Sequence, residues 1–124
     1  MNREKMLANP SQFVRGFGTN APVTLTVTNT AIVESTLYVA GLIFSGGAAP
    51  TLATVAELRG VSPDNGVTAS TIGIQIPASA FAMVAKDFGT HPIPVAAGVN
   101  LSFILPAFGA GIVGDVSLFF FRST

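Results

Sequence analysis

Period-two alternation of apolar and polar side chains runs along much of this chain and predicts an all-β protein. In residues 22–29, PVTLTVTN, Val23, Leu25 and Val27 alternate with Thr24, Thr26 and Thr28. One face of that strand is expected to be buried, and the other is an uncharged threonine ladder. In 35–44, STLYVAGLIF, strict alternation sets Leu37, Val39 and Ile43 on one face and Tyr38, Leu42 and Phe44 on the other. Both sets are apolar, which reads as a central strand or one with a covered outer face. In 67–76, Ile72, Ile74 and Ile76 alternate with Thr71, Gly73 and Gln75. In 99–105, Val99, Leu101, Phe103 and Leu105 alternate with Asn100, Ser102 and Ile104. His91 to Val95 reads as an extended edge segment, because Pro92 and Pro94 each remove a ladder donor.

Two stretches depart from this period. Thr54, Val55, Ala56 and Glu57 match a capping box, with Gly60 placed as a stop. They predict a turn or two of helix, with a strand over 51–59 as the alternative. Residues 78–87 are helix-prone, with Phe81, Val84, Ala85 and Phe88 on one stripe. Lys86 near the end of that stretch suits the helix dipole, and Gly89 would stop it. Pro63 to Gly66 is a turn. The pattern is that of an antiparallel β-sandwich, jelly-roll-like or reduced, with about six to eight strands and one or two short helices. Residues 1–20 read as an N-terminal arm, ended as helix by Pro10 and loosened by Gly16, Gly18 and Asn20. Residues 21–124 read as one domain.

The C-terminal stretch, 95–122, poses the main packing question. It holds two apolar runs, VNLSFIL and VSLFFFR, joined by a Pro/Gly-rich connector. Alternation sends Phe120 to one face of the last strand and Phe119 and Phe121 to the other. Leu118 and Phe120, with Leu101 and Phe103, are expected in the core. Phe119 and Phe121, with Phe108 and Ile112 nearby, are expected under the 78–87 helix or against another subunit.

Composition sharpens that expectation. Charged residues make up 10% of the 124 residues and hydrophobic ones 49%. The usual charged share is about 25%, so the wet surface must come from Thr, Ser, Asn and Gly, or be covered by neighbours. Net charge is zero, which gives no long-range pull toward nucleic acid or an anionic membrane. Arg3, Lys5 and Arg15 against Glu4 give the arm a small positive excess. Nucleic-acid or lipid contact is therefore expected only through that arm, where Phe13 and Phe17 supply the aromatics. No secretion signal or membrane-spanning run is visible in the sequence.

Candidate chemistry is sparse. Cys is absent and His91 is the only histidine, so a multi-ligand metal site is not expected. The six carboxylates, Glu4, Glu34, Glu57, Asp64, Asp87 and Asp115, show no spacing suited to paired acid/base work. No Gly-x-Ser-x-Gly elbow or phosphate-binding glycine loop occurs. No enzyme activity, cofactor or small-molecule substrate is expected.

The charge-poor Thr/Ala/Gly/Phe texture, the stretch APVTLTVTNTAIVESTLYVAGLIFSGG and a final strand close to the last residue resemble the small β-rich structural proteins of phage virions. The resemblance implies a jelly-roll-like subunit that self-assembles into a capsid or similar shell, built in the host cytoplasm. Its partners would be copies of itself and other virion proteins. The expected subunit contacts are Arg3, Lys5, Phe13, Arg15, Phe17, Phe108, Ile112, Phe119 and Phe121. The alternatives are a sandwich that binds a sugar or peptide through Tyr38 and Phe108, or a subunit of an extracellular filament.

Overall fold

The computed structural model describes residues 12–32, 35–51, 55–63, 68–78 and 83–123. Among these residues there are nine strands and no helix: β1 (Gln12–Thr19), β2 (Val23–Val27), β3 (Thr36–Gly46), β4 (Val55–Val61), β5 (Ser70–Gln75), β6 (Val84–Asp87), β7 (Ile93–Pro94), β8 (Leu101–Leu105) and β9 (Val113–Ser123). One sheet has the order β1-β9-β3-β6, with β7 also on β3, and the other has the order β2-β8-β4-β5. Every pairing is antiparallel. The two sheets pack face to face as a sandwich, and Phe44 of β3 stacks on Phe103 of β8 with ring centroids 5.9 Å apart.

Inward positions follow the alternation. Val23 and Leu25 of β2, Leu101, Phe103 and Leu105 of β8, and Ile74 of β5 all enter the core cluster. β3 gains its full inner face through a bulge. Its register to β9 shifts between Val39 and Gly41, and the extra residue reverses the facing of everything after it. Leu37 and Val39 before the bulge and Leu42 and Phe44 after it therefore point into the same core. Ile43, expected with Leu37 and Val39, faces solvent instead and is 44% exposed.

Both helix expectations are corrected where the structure describes them. Val55–Val61 is a strand, with Ala56 and Leu58 fully buried between Glu57 and Arg59 on the outer face. Gly60 is a bulge residue at φ 88° rather than a helix stop. A Cβ there would lie 2.4 Å from the carbonyl oxygen of Asn100, so no other residue fits. Val84–Asp87 is the edge strand β6 rather than the end of a helix, with Lys86 opposite Leu42. Thr54 and Phe81 lie outside the described residues.

The expected arm also divides. Its second half, Gln12–Thr19, is a full edge strand that pairs with β9 along all eight residues. Residues 1–11, with Arg3 and Lys5, lie outside the described residues.

Two features close the ends of the sandwich. Phe108, in the loop between β8 and β9, plugs one end and is 1% exposed. Gly46 and Gly114 stand opposite each other there, and a Cβ on Gly46 would meet the Phe108 ring at 2.3 Å. Near the other end the buried Asn29 acts as a clamp. Its backbone N–H donates to Asn100 Oδ1 at 3.0 Å, its Nδ2 donates to the Ala96 carbonyl at 2.9 Å, and its Oδ1 accepts from Arg122 at 2.6 Å.

Candidate functional site

The two outer faces of the sandwich differ in chemistry. On the β2-β8-β4-β5 sheet the outward rows are Thr24 beside Ile104, Glu57 and Gly73, and Thr26 beside Ser102, Arg59 and Thr71. Arg59 and Glu57 form an ion pair at 2.8 Å on that face. It is wet, polar and threonine-rich.

The β1-β9-β3-β6 sheet presents something else. The pairing registers set Phe13, Phe119, Gly41 and Asp87 in one outward row. The next row is Arg15, Ser117, Ile43 and Ala85, and a third is Phe17, Asp115 and Ser45. Phe13 and Phe17 are 62% and 72% exposed. Phe119 is half-buried and supports Phe13, with ring centroids 6.0 Å apart. Val113, opposite Thr19, extends the exposed apolar positions toward the start of β9. Between β3 and β6 the face is hollowed into a depression of about 360 Å³, bordered by Gly41, Ile43, Ala85, Asp87 and Phe119. Gly41 keeps the hollow open, and its backbone lies so near β6 that a Cβ would sit 2.6 Å from the Lys86 carbonyl oxygen.

The charge on this face is largely paired. Arg15 holds Asp115 with a two-pronged contact, Nε to Oδ1 at 3.0 Å and Nη2 to Oδ2 at 2.5 Å. The hydrogen bond from Arg15 holds the Asp115 carboxyl below its ordinary range, against a smaller opposing effect of burial. The same bond raises Arg15. A fork-to-carboxylate pair of this kind fixes geometry well, although its exposure limits what it adds to stability.

Of the expected contact residues, the structure brings Phe13, Arg15, Phe17 and Phe119 together on this face. Two are corrected. Phe108 is the buried end plug, and Phe121 is 1% exposed. Phe121 is stacked on Tyr38 at 5.3 Å. Ile112 is half-buried and packs against the core cluster. With Phe108 inside and one face of Tyr38 taken by Phe121, the expected Tyr38–Phe108 ligand platform does not form. Ile43 and Ala85 join the face without having been singled out for it. The β3 bulge that turns Ile43 outward has no counterpart in simple alternation.

A second hollow, of about 480 Å³, lies beside Tyr38 and His91 and is otherwise walled by Pro63, Ile72, Pro92, Ile93, Pro94 and Thr36. His91 is exposed. Among the described residues no cluster of three or more His, Cys, Asp or Glu could hold a metal ion. Among them also, no helix is long and apolar enough to cross a membrane.

No protein-family model and no curated protein sequence matches the chain. Several solved structures are similar in part. A Bacillus endospore appendage pilus protein is 15% identical, with 94% of this chain and 88% of that chain covered at a TM-score of 0.42. TmCBM61, solved in complex with β-1,4-galactotriose, is 15% identical, with 90% and 69% covered at a TM-score of 0.40. The capsid of the Helicobacter pylori bacteriophage KHP30 is 6% identical, with 90% and 99% covered at a TM-score of 0.36. At such scores these likenesses carry no argument about what the chain does.

Proposed function

We propose that this chain is a non-catalytic structural subunit that self-assembles, in the manner of a capsid or virion shell protein. The single observation behind this reading is the aromatic outer face of the β1-β9-β3-β6 sheet, with Phe13 and Phe17 62% and 72% exposed. A free surface rarely carries two such exposed rings on one strand face, whereas subunit interfaces are enriched in them and depleted in charge. A charge share of 10% supports the same reading.

The strand order supports a jelly-roll-like subunit. Strands β1, β9, β3 and β6 in one sheet and β2, β8, β4 and β5 in the other give the double Greek-key order, with β7 as an addition. Since that architecture also serves lectins and cupins, the shell reading rests on the face and not on the topology. In this reading the partners are copies of the chain and other virion proteins.

Light scattering on the eluting protein, with electron microscopy of the same fractions, tests it. Particles or oligomers well above 12.7 kDa are expected. A monomer that persists at high concentration, with no particles in the images, would exclude it.

A further inference from the structure

The aromatic face carries both halves of a complementary contact. Along its β1 margin stands a ridge, Phe13 and Phe17 with Arg15 between them. Along its β3/β6 margin lies the depression of about 360 Å³ around Gly41, Ile43, Ala85 and Asp87. β9 separates the two. A two-fold axis running along the strands, between β9 and β3, would lay β1 of one copy over β6 of the other and β9 over β3. Rows keep their level under that rotation. Phe13 then stands over Asp87, at the rim of the depression, and Phe119 stands over Gly41, where β3 offers no side chain. Arg15 stands over Ala85, one step along the strand from the carboxylate of Asp87.

We propose that a second copy of this chain docks on this face about such a two-fold, with Phe13 of each copy seated at the rim of the depression of the other. The proposal rests on the self-assembly reading and names its first contact. A second copy is the fitting occupant because ridge and hollow lie on one surface at matching levels, so a single rotation satisfies both twice. Charge agrees: Arg15 meets the edge that carries Asp87, and Arg15 is already tied to Asp115 in its own subunit. Small residues at Gly41, Ser117 and Ala85 let the two sheets approach, as close sheet packing requires.

The chain contains no cysteine, so single-cysteine variants report position cleanly. Arg15→Cys and Ala85→Cys variants are mixed and treated with a short bis-maleimide. Unlike pairs should cross-link, while each variant alone should not, because the axis places position 15 over position 85. Phe13→Ser and Phe17→Ser should weaken association at least roughly tenfold with unchanged far-UV circular dichroism. Thr24→Glu on the opposite face should leave association as it was. If the native chain assembles but Phe13→Ser and Phe17→Ser assemble as well as it does, or if Arg15→Cys cross-links to itself, the face-to-face contact is wrong and self-assembly stands. If the native chain is a monomer at every concentration, both fall.

Discussion

Gly46→Ala puts the end plug under a direct test. A Cβ at this position would lie 2.3 Å from both Cδ2 and Cε2 of Phe108 and 3.2 Å from the Ala48 carbonyl oxygen. Carbon atoms in contact sit about 3.5–4.0 Å apart, so the ring would have to retreat by more than about 1 Å. It has nowhere to go, because Phe108 is 1% exposed and belongs to the core cluster. Gly46 is not among the glycines with positive φ, so alanine suits the backbone and the effect is steric alone. Forcing an extra methyl group into a packed core costs about 1–3 kcal/mol, and a clash against the flank of a fixed ring belongs near the upper figure. For a domain of this size that is a fall in Tm of about 12 °C. The mechanism makes a second, sharper demand. Phe108→Leu shortens the plug and costs about 1–2 kcal/mol by itself. It also vacates the space that the new methyl group needs. The double variant should therefore be more stable than the two single effects predict, by about 2 kcal/mol of coupling. Urea denaturation of the four proteins measures this. Gly46→Ala within about 0.5 kcal/mol of the native chain, or strict additivity in the double variant, would refute the placement of Phe108 under Gly46.

Two other perturbations probe the polar contacts. Asn29→Ala removes the acceptor for Arg122 and the donor to the Ala96 carbonyl, and it should cost about 3 kcal/mol in equilibrium denaturation; a change under about 1 kcal/mol would show that the clamp is not needed. Asp115 has its folded-state pKa lowered by Arg15, so the stability from this pair is present above the unfolded carboxylate value of about 3.9 and is lost as pH falls through the lower folded value. The difference in denaturation midpoint between the native chain and Asp115→Asn should accordingly be small but measurable at neutral pH and vanish in acid; a difference that grows in acid would contradict the pairing.

Much of the core was legible because β2, β5 and β8 obey simple alternation, and Val23, Leu25, Ile74, Leu101, Phe103 and Leu105 are buried as that pattern implies. What it could not show were the points where the period breaks. The bulge after Val39 moves Leu42 and Phe44 inward and Ile43 outward, and a bulge leaves no mark in a string of apolar letters. At Gly60 the bulge glycine imitates a helix stop, and a capping box four letters long is too short a signal to outweigh sheet pairing. Gly16 and Gly18 suggested a flexible exit from an arm, yet Gly16 sits within β1, where a Cβ would come within 2.9 Å of the Val23 and Leu25 side chains. Those glycines are small because β2 packs against them. On the candidate face, Phe13, Arg15, Phe17 and Phe119 could be picked out as residues that a small core did not need. Phe108 and Phe121 looked the same in sequence, and only the Gly46–Gly114 pair shows why Phe108 turns inward and only the Tyr38 ring shows what Phe121 stacks on.

The central place of β9 between β1 and β3 has a consequence for how the chain folds as it is made. A ribosome delivers β1 about 100 residues before β9, which at ordinary synthesis rates is an interval of roughly 5–20 seconds. Among the described residues β1 has no other neighbour to hydrogen-bond in its own sheet through that interval, because its partner along its full length is β9. The aromatic rows do not exist as a surface until then. Phe119 under Phe13, Asp115 on Arg15, and Ser117 beside Ile43 all arrive with the last strand. An unfinished chain therefore has loose rings but no ridge standing opposite a hollow. In the proposed assembly, readiness to dock would be acquired only when β9 pairs with β1 and β3, so fragments without β9 would lack the geometry of the contact.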